Sequence, residues 1–219
     1  AQQMLSLIKK SVLKISRYFK WQIYVLKNYN SRPPIKVYRD DNGPKIHIGP
    51  GEIDIKGWIN IDGRALDHVH LITDNLSLKE FADGEVSEIY MCHILEHLSF
   101  EEVNDTLKIF YSKLKIGGII RISVPNFKII SEIYSNFDNI DLIKYPLMGG
   151  QDYSYNFHKS IYDFNSLKES LKITGYSEIE LWDQQKDFGI EIGDWAAGKI
   201  NTPKGKRYIS LNVKAKRIL

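Results

Sequence analysis

Short apolar runs separated by polar or glycine-marked turns dominate the first half of this chain. Residues 45–48 (KIHI), 57–61 (GWINI), 69–72 (VHLI) and 88–92 (EIYMC) are each too short for a helix, and their composition predicts buried strands. Residues 76–84 between the last two predict a weak helix or loop. At Ser99 the period changes: Val103, Leu107, Phe110, Tyr111 and Leu114 recur on one helical face. Ser99 and Glu102 have capping-box spacing, acidic residues open the helix, and Lys113 and Lys115 close it as the helix dipole prefers. Gly117 or Gly118 is expected to stop it. Residues 119–124 (IIRISV), a β-branched run ended by Pro125, predict a central strand, and residues 126–134 another helix. A helix over 163–174 ended by Gly175, a strand over 176–182 with Ile179 and Leu181 on one face, and a strand over 208–213 complete the pattern. Strands alternating with helices in this way predict an α/β, doubly wound, mostly parallel sheet.

Two stretches depart from that alternation. Residues 136–160 lose any period and gather Tyr145, Tyr153, Tyr155 and Phe157 with a GGQD run and His158. An insertion of that length after a central strand reads as a lid over the ligand edge, with a small satellite core as the alternative. Residues 183–207 are polar, contain Trp195, and read as a loop or second flap. Ahead of the domain, residues 4–27 place Ile8, Val12, Ile15 and Phe19 at helical spacing, with Lys9, Lys10, Lys14, Arg17 and Lys20 mostly between them. That is a cationic amphipathic helix, suited to an anionic membrane surface or an assembly partner, or else packed on its own domain. The SRPP run at 31–34 breaks it, so residues 1–44 are helix and linker and 45–219 the main domain. Lysines interrupt every apolar run that could serve as a secretory signal or membrane span.

The 219 residues suffice for one sizeable core, and the net charge of +3 is concentrated at the start. After residue 45 there is no concentrated basic stripe, which argues against a nucleic-acid partner. Cys92 is the single cysteine; within an apparent buried strand it reads as core packing rather than a nucleophile.

Candidate chemistry centres on residues 45–62. Gly49-Pro50-Gly51 follows the first strand and leaves backbone bare for a ligand, while Asp62 sits at the tip of the second, where a carboxylate can accept both hydroxyls of a ribose. A dinucleotide fingerprint would need a third glycine where this chain has Asp54. His93-Ile94-Leu95-Glu96-His97 also matches the zinc-peptidase pattern, in which both histidines share one helical face. With Ser99 as N-cap they precede the helix, and no third ligand follows downstream, so no metal is expected.

These residues resemble the class I S-adenosylmethionine-dependent methyltransferases, in particular small bacterial enzymes with GWINID after the glycine turn (here 57–62) and a later His-x-Leu-Glu-His segment (here 93–97). KIGG at 115–118 and RISVP at 121–125 follow in the family's order; the likeness spans 45–182, with Pro50 where the family commonly has Cys and Ile116 where it commonly has Pro. The resemblance implies a seven-stranded Rossmann-like sheet whose last strand is reversed, and S-adenosylmethionine as cofactor. It places Gly49, Pro50 and Gly51 along the methionine portion, Asp62 on the ribose, Asp74 and Asn75 on the adenine side and His93 near the methionine end. Acceptors in the family are often sugar hydroxyls of bacterial surface glycans, which would suit cytoplasmic work beside the inner face of a membrane. Another small-molecule acceptor, or a catalytically silent scaffold, is the alternative. A hydroxyl acceptor must lose a proton, for which His158 in the lid and then His97 are the candidates; each could instead simply bond backbone. His47, His68 and His70 read as structural or exposed.

Overall fold

A computed structural model describes residues 42–189 and 192–219. The basic helix expected over 4–27 and most of its linker lie outside the described residues. The four early runs form β1 (Lys45–Ile48), β2 (Ile59–Asp62), β3 (Leu71–Ile72) and β4 (Val86–Cys92). Helix α1 (Phe100–Lys113) starts at Ser99 with the predicted capping box. It is followed by β5 (Leu114–Pro125), α2 (Phe127–Phe137), the short α3 (Lys144–Met148), α4 (Phe164–Ile173) and β6 (Ser177–Leu181). The chain ends with α5 (Gln184–Phe188), a hairpin of β7 (Lys199–Thr202) and β8 (Gly205–Tyr208), and β9 (Ser210–Lys216).

Seven strands make one sheet in the order β3-β2-β1-β4-β5-β9-β6. The β1–β2, β1–β4, β2–β3 and β4–β5 pairs are parallel, and only β9, the last strand, runs against its neighbours β5 and β6. The expected α/β sheet with a reversed last strand is therefore present. Strand order reverses between β1 and β4, and in an open parallel sheet the crevice at that switch point is where ligands bind.

Strand alternation sends successive side chains to opposite faces and so builds two different layers. On one face Ile46, Ile59, Ile89, Met91, Ile120, Ile122 and Val213 meet Val103, Leu107 and Phe110 of α1 and Leu167 and Leu171 of α4 in the main core. On the other, Tyr90 packs with Trp58 and Trp182, and Phe188 of α5 closes against them. This second layer carries polar groups: buried Arg121 lies beside buried Glu88 and half-buried Asp187, and Lys214 reaches Asp187 at 2.7 Å.

Several boundaries differ from expectation for identifiable reasons. Gly117 and Gly118 do not stop α1; the helix ends at Lys113, because Leu114 turns into extended backbone and is fully buried. Gly117, at φ +79°, instead lies within β5 at its irregular start. Tyr208 belongs to the β7–β8 hairpin rather than the last strand, and β9 runs on to Lys216. Leu181 is 62% exposed, since β6 is an edge strand. Residues 76–81 form turns in which Leu78, at φ +47°, and Phe81 are buried.

Candidate functional site

A cavity of about 870 Å³ opens at the C-terminal tips of β1, β2 and β4, within the usual range for small-molecule sites. Gly49, Pro50, Gly51, Asp62, Asp74, His93, His97 and His158 all line it, so residues far apart in sequence converge on one site. Asn75 is not among the lining residues. Its side chain accepts the Ser77 N–H at 2.8 Å, and its own N–H bonds Thr73, which makes it a turn residue.

The glycine turn is shaped by backbone that other residues rarely adopt. Gly49 has φ +62° and Gly51 φ +58°. A Cβ on Gly49 would fall 2.0 Å from Cδ1 of Ile94, whereas one on Gly51 would meet only Nη2 of Arg64 at 3.5 Å. His68 Nε2 lies 2.9 Å from the Gly51 carbonyl and steadies the turn from outside.

Asp62 faces this turn from the tip of β2. Its Oδ1 accepts the Arg64 N–H at 2.8 Å and Arg64 Nε at 3.2 Å; its Oδ2 accepts Arg64 Nη2 at 3.2 Å and the Gly51 N–H at 3.3 Å. A carboxylate has about four acceptor sites, and all four are engaged. Arg64, which the sequence reading passed over, also lies 5.9 Å from the ring centre of Tyr153 in the lid.

The opposite wall is built by the turn after β4. His93 takes φ +55°, a conformation a non-glycine residue seldom holds, and its N–H bonds the Ser123 carbonyl at 2.8 Å. Ser210 Oγ donates to the Trp195 carbonyl and so accepts from His93 Nε2, which lies 2.8 Å away. His93 Nδ1 is then turned toward Glu96 Oε1 at 3.2 Å. Glu96 is 1% exposed, and three imidazoles surround it. Burial works to raise its pKa, but the fields of His93, then His97 and His158, outweigh burial and hold the carboxyl below the ordinary glutamate range.

The lid over 136–160 is attached to that same turn. The N–H groups of Lys159 and Ser160 both donate to the Glu96 carbonyl, at 2.7 and 3.1 Å. Across the mouth, Tyr155 donates to Asp74 Oδ2 at 3.3 Å. His97 and His158 stack edge to face, with ring centres 4.9 Å apart. Each directs Nδ1 at a carbonyl 3.1 Å away, that of Phe157 for His97 and that of Pro146 for His158. Both thus make the backbone bonds that the sequence left open, and both keep Nε2 available. Burial lowers the His158 pKa and favours its neutral form.

Of the other histidines, His47 is buried and stacks on Tyr90 with ring centres 5.0 Å apart, and His70 Nδ1 accepts the Asn60 N–H at 3.0 Å. Cys92 packs against the Trp58–Tyr90 cluster while also touching the cavity; burial pushes its thiol pKa well up, as suits packing rather than nucleophilic work. Trp195 and Asp194, from the flap over 183–207, complete the wall. Asp194 is held by the Tyr90 hydroxyl, by Gln184 and by the Ala196 N–H. Its role was hidden because the contacts come from β4 and α5.

No protein-family model and no curated protein matches the sequence. Among solved structures, a SAM-dependent methyltransferase from Archaeoglobus fulgidus superposes with a TM-score of 0.50 at 16% identity, over 84% of this chain and 90% of that one. A SAM-dependent methyltransferase from Thermotoga maritima, described as a possible histamine N-methyltransferase, gives 0.49 at 13% identity, over 93% and 96% of the two chains. The first of these likenesses shows the fold: a Rossmann-like sheet of the methyltransferase kind.

Proposed function

We propose that this chain is an S-adenosylmethionine-dependent methyltransferase acting on a hydroxyl, with a sugar of a bacterial surface glycan or its precursor as the acceptor class. The observation that carries the reading is Asp62 at the tip of β2, facing the bare backbone of Gly49 and Gly51 across the switch-point cavity. The donor set fits the cofactor: a turn in which Gly51 leaves open space and Gly49 lets Ile94 pack against bare Cα, a carboxylate for a diol, and Asp74 further along the same edge. When bound, the cofactor supplies a methyl group on a positively charged sulfur, already activated for in-line displacement.

What remains for the protein is to position, dry and deprotonate. Gly49 and Gly51 admit the methionine portion, Asp62 takes the ribose hydroxyls once Arg64 has withdrawn, and His93 borders the methionine end. On the acceptor side His158 takes the hydroxyl proton at Nε2, its tautomer fixed by the Nδ1–H bond to Pro146. His97 stands beside it as the alternative acceptor of that proton. Tyr145, Tyr153, Tyr155 and Phe157 offer ring faces for a sugar, and the lid that carries them shields the reacting groups from water.

The test is calorimetric titration of the chain with S-adenosylmethionine and S-adenosylhomocysteine, followed by label transfer from the methyl-labelled cofactor to candidate glycan precursors. Micromolar binding of both and label in a hydroxyl ether are expected. A folded chain that binds neither refutes the enzyme reading and leaves a scaffold. The segment over 4–27 is proposed to hold the enzyme at an anionic membrane surface, and its deletion should release the chain from anionic vesicles. No helix among the described residues is long and apolar enough to cross a membrane.

A further inference from the structure

Glu96, His97 and His158 each direct one donor atom into the same space, and these three atoms lie within 4.8 Å of one another. We propose that they form a binding site for a divalent transition metal of the zinc type, on the acceptor wall of the cavity. The sequence offered no reason to expect a metal, since His93 and His97 precede the helix and no third ligand was evident downstream. The lid delivers it instead, from a segment sewn to Glu96 by two backbone hydrogen bonds.

Three observations point the same way. First, the tautomers are set for ligation. A carbonyl oxygen only accepts, so the 3.1 Å contacts to Phe157 and Pro146 put the proton of each imidazole on Nδ1 and the lone pair on Nε2. A backbone carbonyl behind the outer ring nitrogen is the usual support of a metal-binding histidine. Second, Glu96 is 1% exposed, yet neither carboxylate oxygen has a hydrogen bond of good geometry among the described residues. Its polar neighbours are imidazole nitrogens, His93 Nδ1 at 3.2 Å and His158 Nε2 at 3.8 Å from Oε1. A buried carboxylate with unfilled acceptor positions between imidazole nitrogens is chemically suited to a cation, which would take the place of the missing hydrogen bonds. Third, the spacing is close to what ligation needs. Tetrahedral ligands about 2.0–2.1 Å from zinc stand about 3.3 Å apart, so the Glu96–His158 pair closes with small side-chain rotations.

The ligand set fixes the class of metal. Two nitrogens and one carboxylate suit zinc, cobalt, manganese or iron(II), whereas calcium and magnesium prefer all-oxygen shells. His97 and His158 border the cavity, so a fourth position opens toward it, as in catalytic rather than structural sites. The site's existence does not depend on the methyl-transfer reading; its role does. With the acceptor hydroxyl as fourth ligand, such a metal would lower that hydroxyl's pKa; His158 Nε2, being a ligand, would then no longer serve as the proton acceptor, and the proton would leave to water. The two imidazoles then hold the metal, and the oxygen that gains the methyl group is the one that has lost the proton.

The experiment is titration of the full chain, stripped with a chelator, with zinc chloride by calorimetry and with cobalt chloride by visible absorption. One equivalent should bind with micromolar or tighter affinity, and cobalt should show the intense bands of a low-coordinate site. His97→Ala and His158→Ala should each weaken binding at least 30-fold, and Cys92→Ser should leave it unchanged. His97 is only partly buried, so its variant carries the test if His158→Ala does not fold. Absence of stoichiometric binding, affinity unaltered in both histidine variants, or loss of binding in Cys92→Ser would each overturn the proposal. Cofactor binding without metal defeats this inference alone; metal binding without cofactor binding defeats the methyltransferase reading and leaves the metal site standing.

Discussion

Arg64 occupies the carboxylate that the ribose needs, so removing it should tighten cofactor binding while removing Asp62 should weaken it. Each Asp62 oxygen accepts one bond from the Arg64 guanidinium, at 3.2 Å, and one from backbone. The ribose hydroxyls can bind only when the guanidinium has left. Arg64 is 35% exposed in its side chain, which places the pair among partly solvated ion pairs worth up to about 1 kcal/mol. Hydrogen bonds from a diol to the carboxylate are worth about 1.5–3 kcal/mol, and displacing Arg64 offsets part of that. Asp62→Ala should therefore lose about 1–2 kcal/mol, or roughly 5- to 30-fold in affinity, and Arg64→Ala should gain up to about fivefold. Because the effect of Arg64 on the ribose site runs through Asp62, adding Arg64→Ala to Asp62→Ala should change affinity little further. The double-mutant cycle would then give a coupling of about 0.5–1 kcal/mol. Calorimetry with S-adenosylhomocysteine on the four proteins measures every corner. A tenfold loss in Arg64→Ala would make Arg64 a direct ligand contact, and unchanged affinity in Asp62→Ala would remove the carboxylate from the site.

Two further perturbations test the walls around that carboxylate. Burial draws the His47 pKa down from its ordinary 6.5 to about 3. Between those values the unfolded chain binds a proton that the folded chain refuses, so His47 makes stability fall as pH drops through that window, at about 1.4 kcal/mol per unit. His47→Phe should remove this component: its stability relative to the parent, measured by urea unfolding, should improve by about 2–3 kcal/mol on going from pH 7 to pH 4.5. An unchanged difference at the two pH values would contradict the burial argument. Gly49→Ala should cost about 1–2 kcal/mol of stability for its left-handed backbone, and by driving Ile94 into the cavity should weaken cofactor binding at least tenfold. Retained affinity would mean that the ligand does not approach this turn.

Local signals made most of the frame legible. The capping box at Ser99 and the apolar runs of β1, β2, β4 and β5 depend on near neighbours, and each fell where expected to within a few residues. The β7–β8 hairpin gave no signal because nearly all its side chains meet solvent, so no alternation marks it. Gly117 looked like a helix stop, and only the burial of Leu114 in the tertiary core shows why the helix ends sooner. At the site, Gly49, Gly51 and Asp62 were expected together because they sit within one strand–turn–strand corner of the chain, and all three line the cavity. Asn75 does not line the cavity, because its side chain accepts the Ser77 N–H in the turn after β3.

Glu96 explains why the rest was hidden, and why lid and chemistry belong together. Its carbonyl accepts two N–H groups from the end of the lid, and its carboxylate faces the histidine carried by that same segment. Backbone and side chain of one buried residue thus fix the lid's base and aim His158, so the base is a wall of the site rather than a flap. Motion to admit an acceptor is then confined to the tip. Its ends are closed by the Gln151 N–H on the Asn156 carbonyl at 2.8 Å, and it is tethered outside by Tyr155 to Asp74. Tyr155→Phe should loosen the tip without disturbing His158, raising KM for the acceptor by a few-fold at constant cofactor affinity. A matching loss in cofactor affinity would place Tyr155 on the adenine side with Asp74 instead.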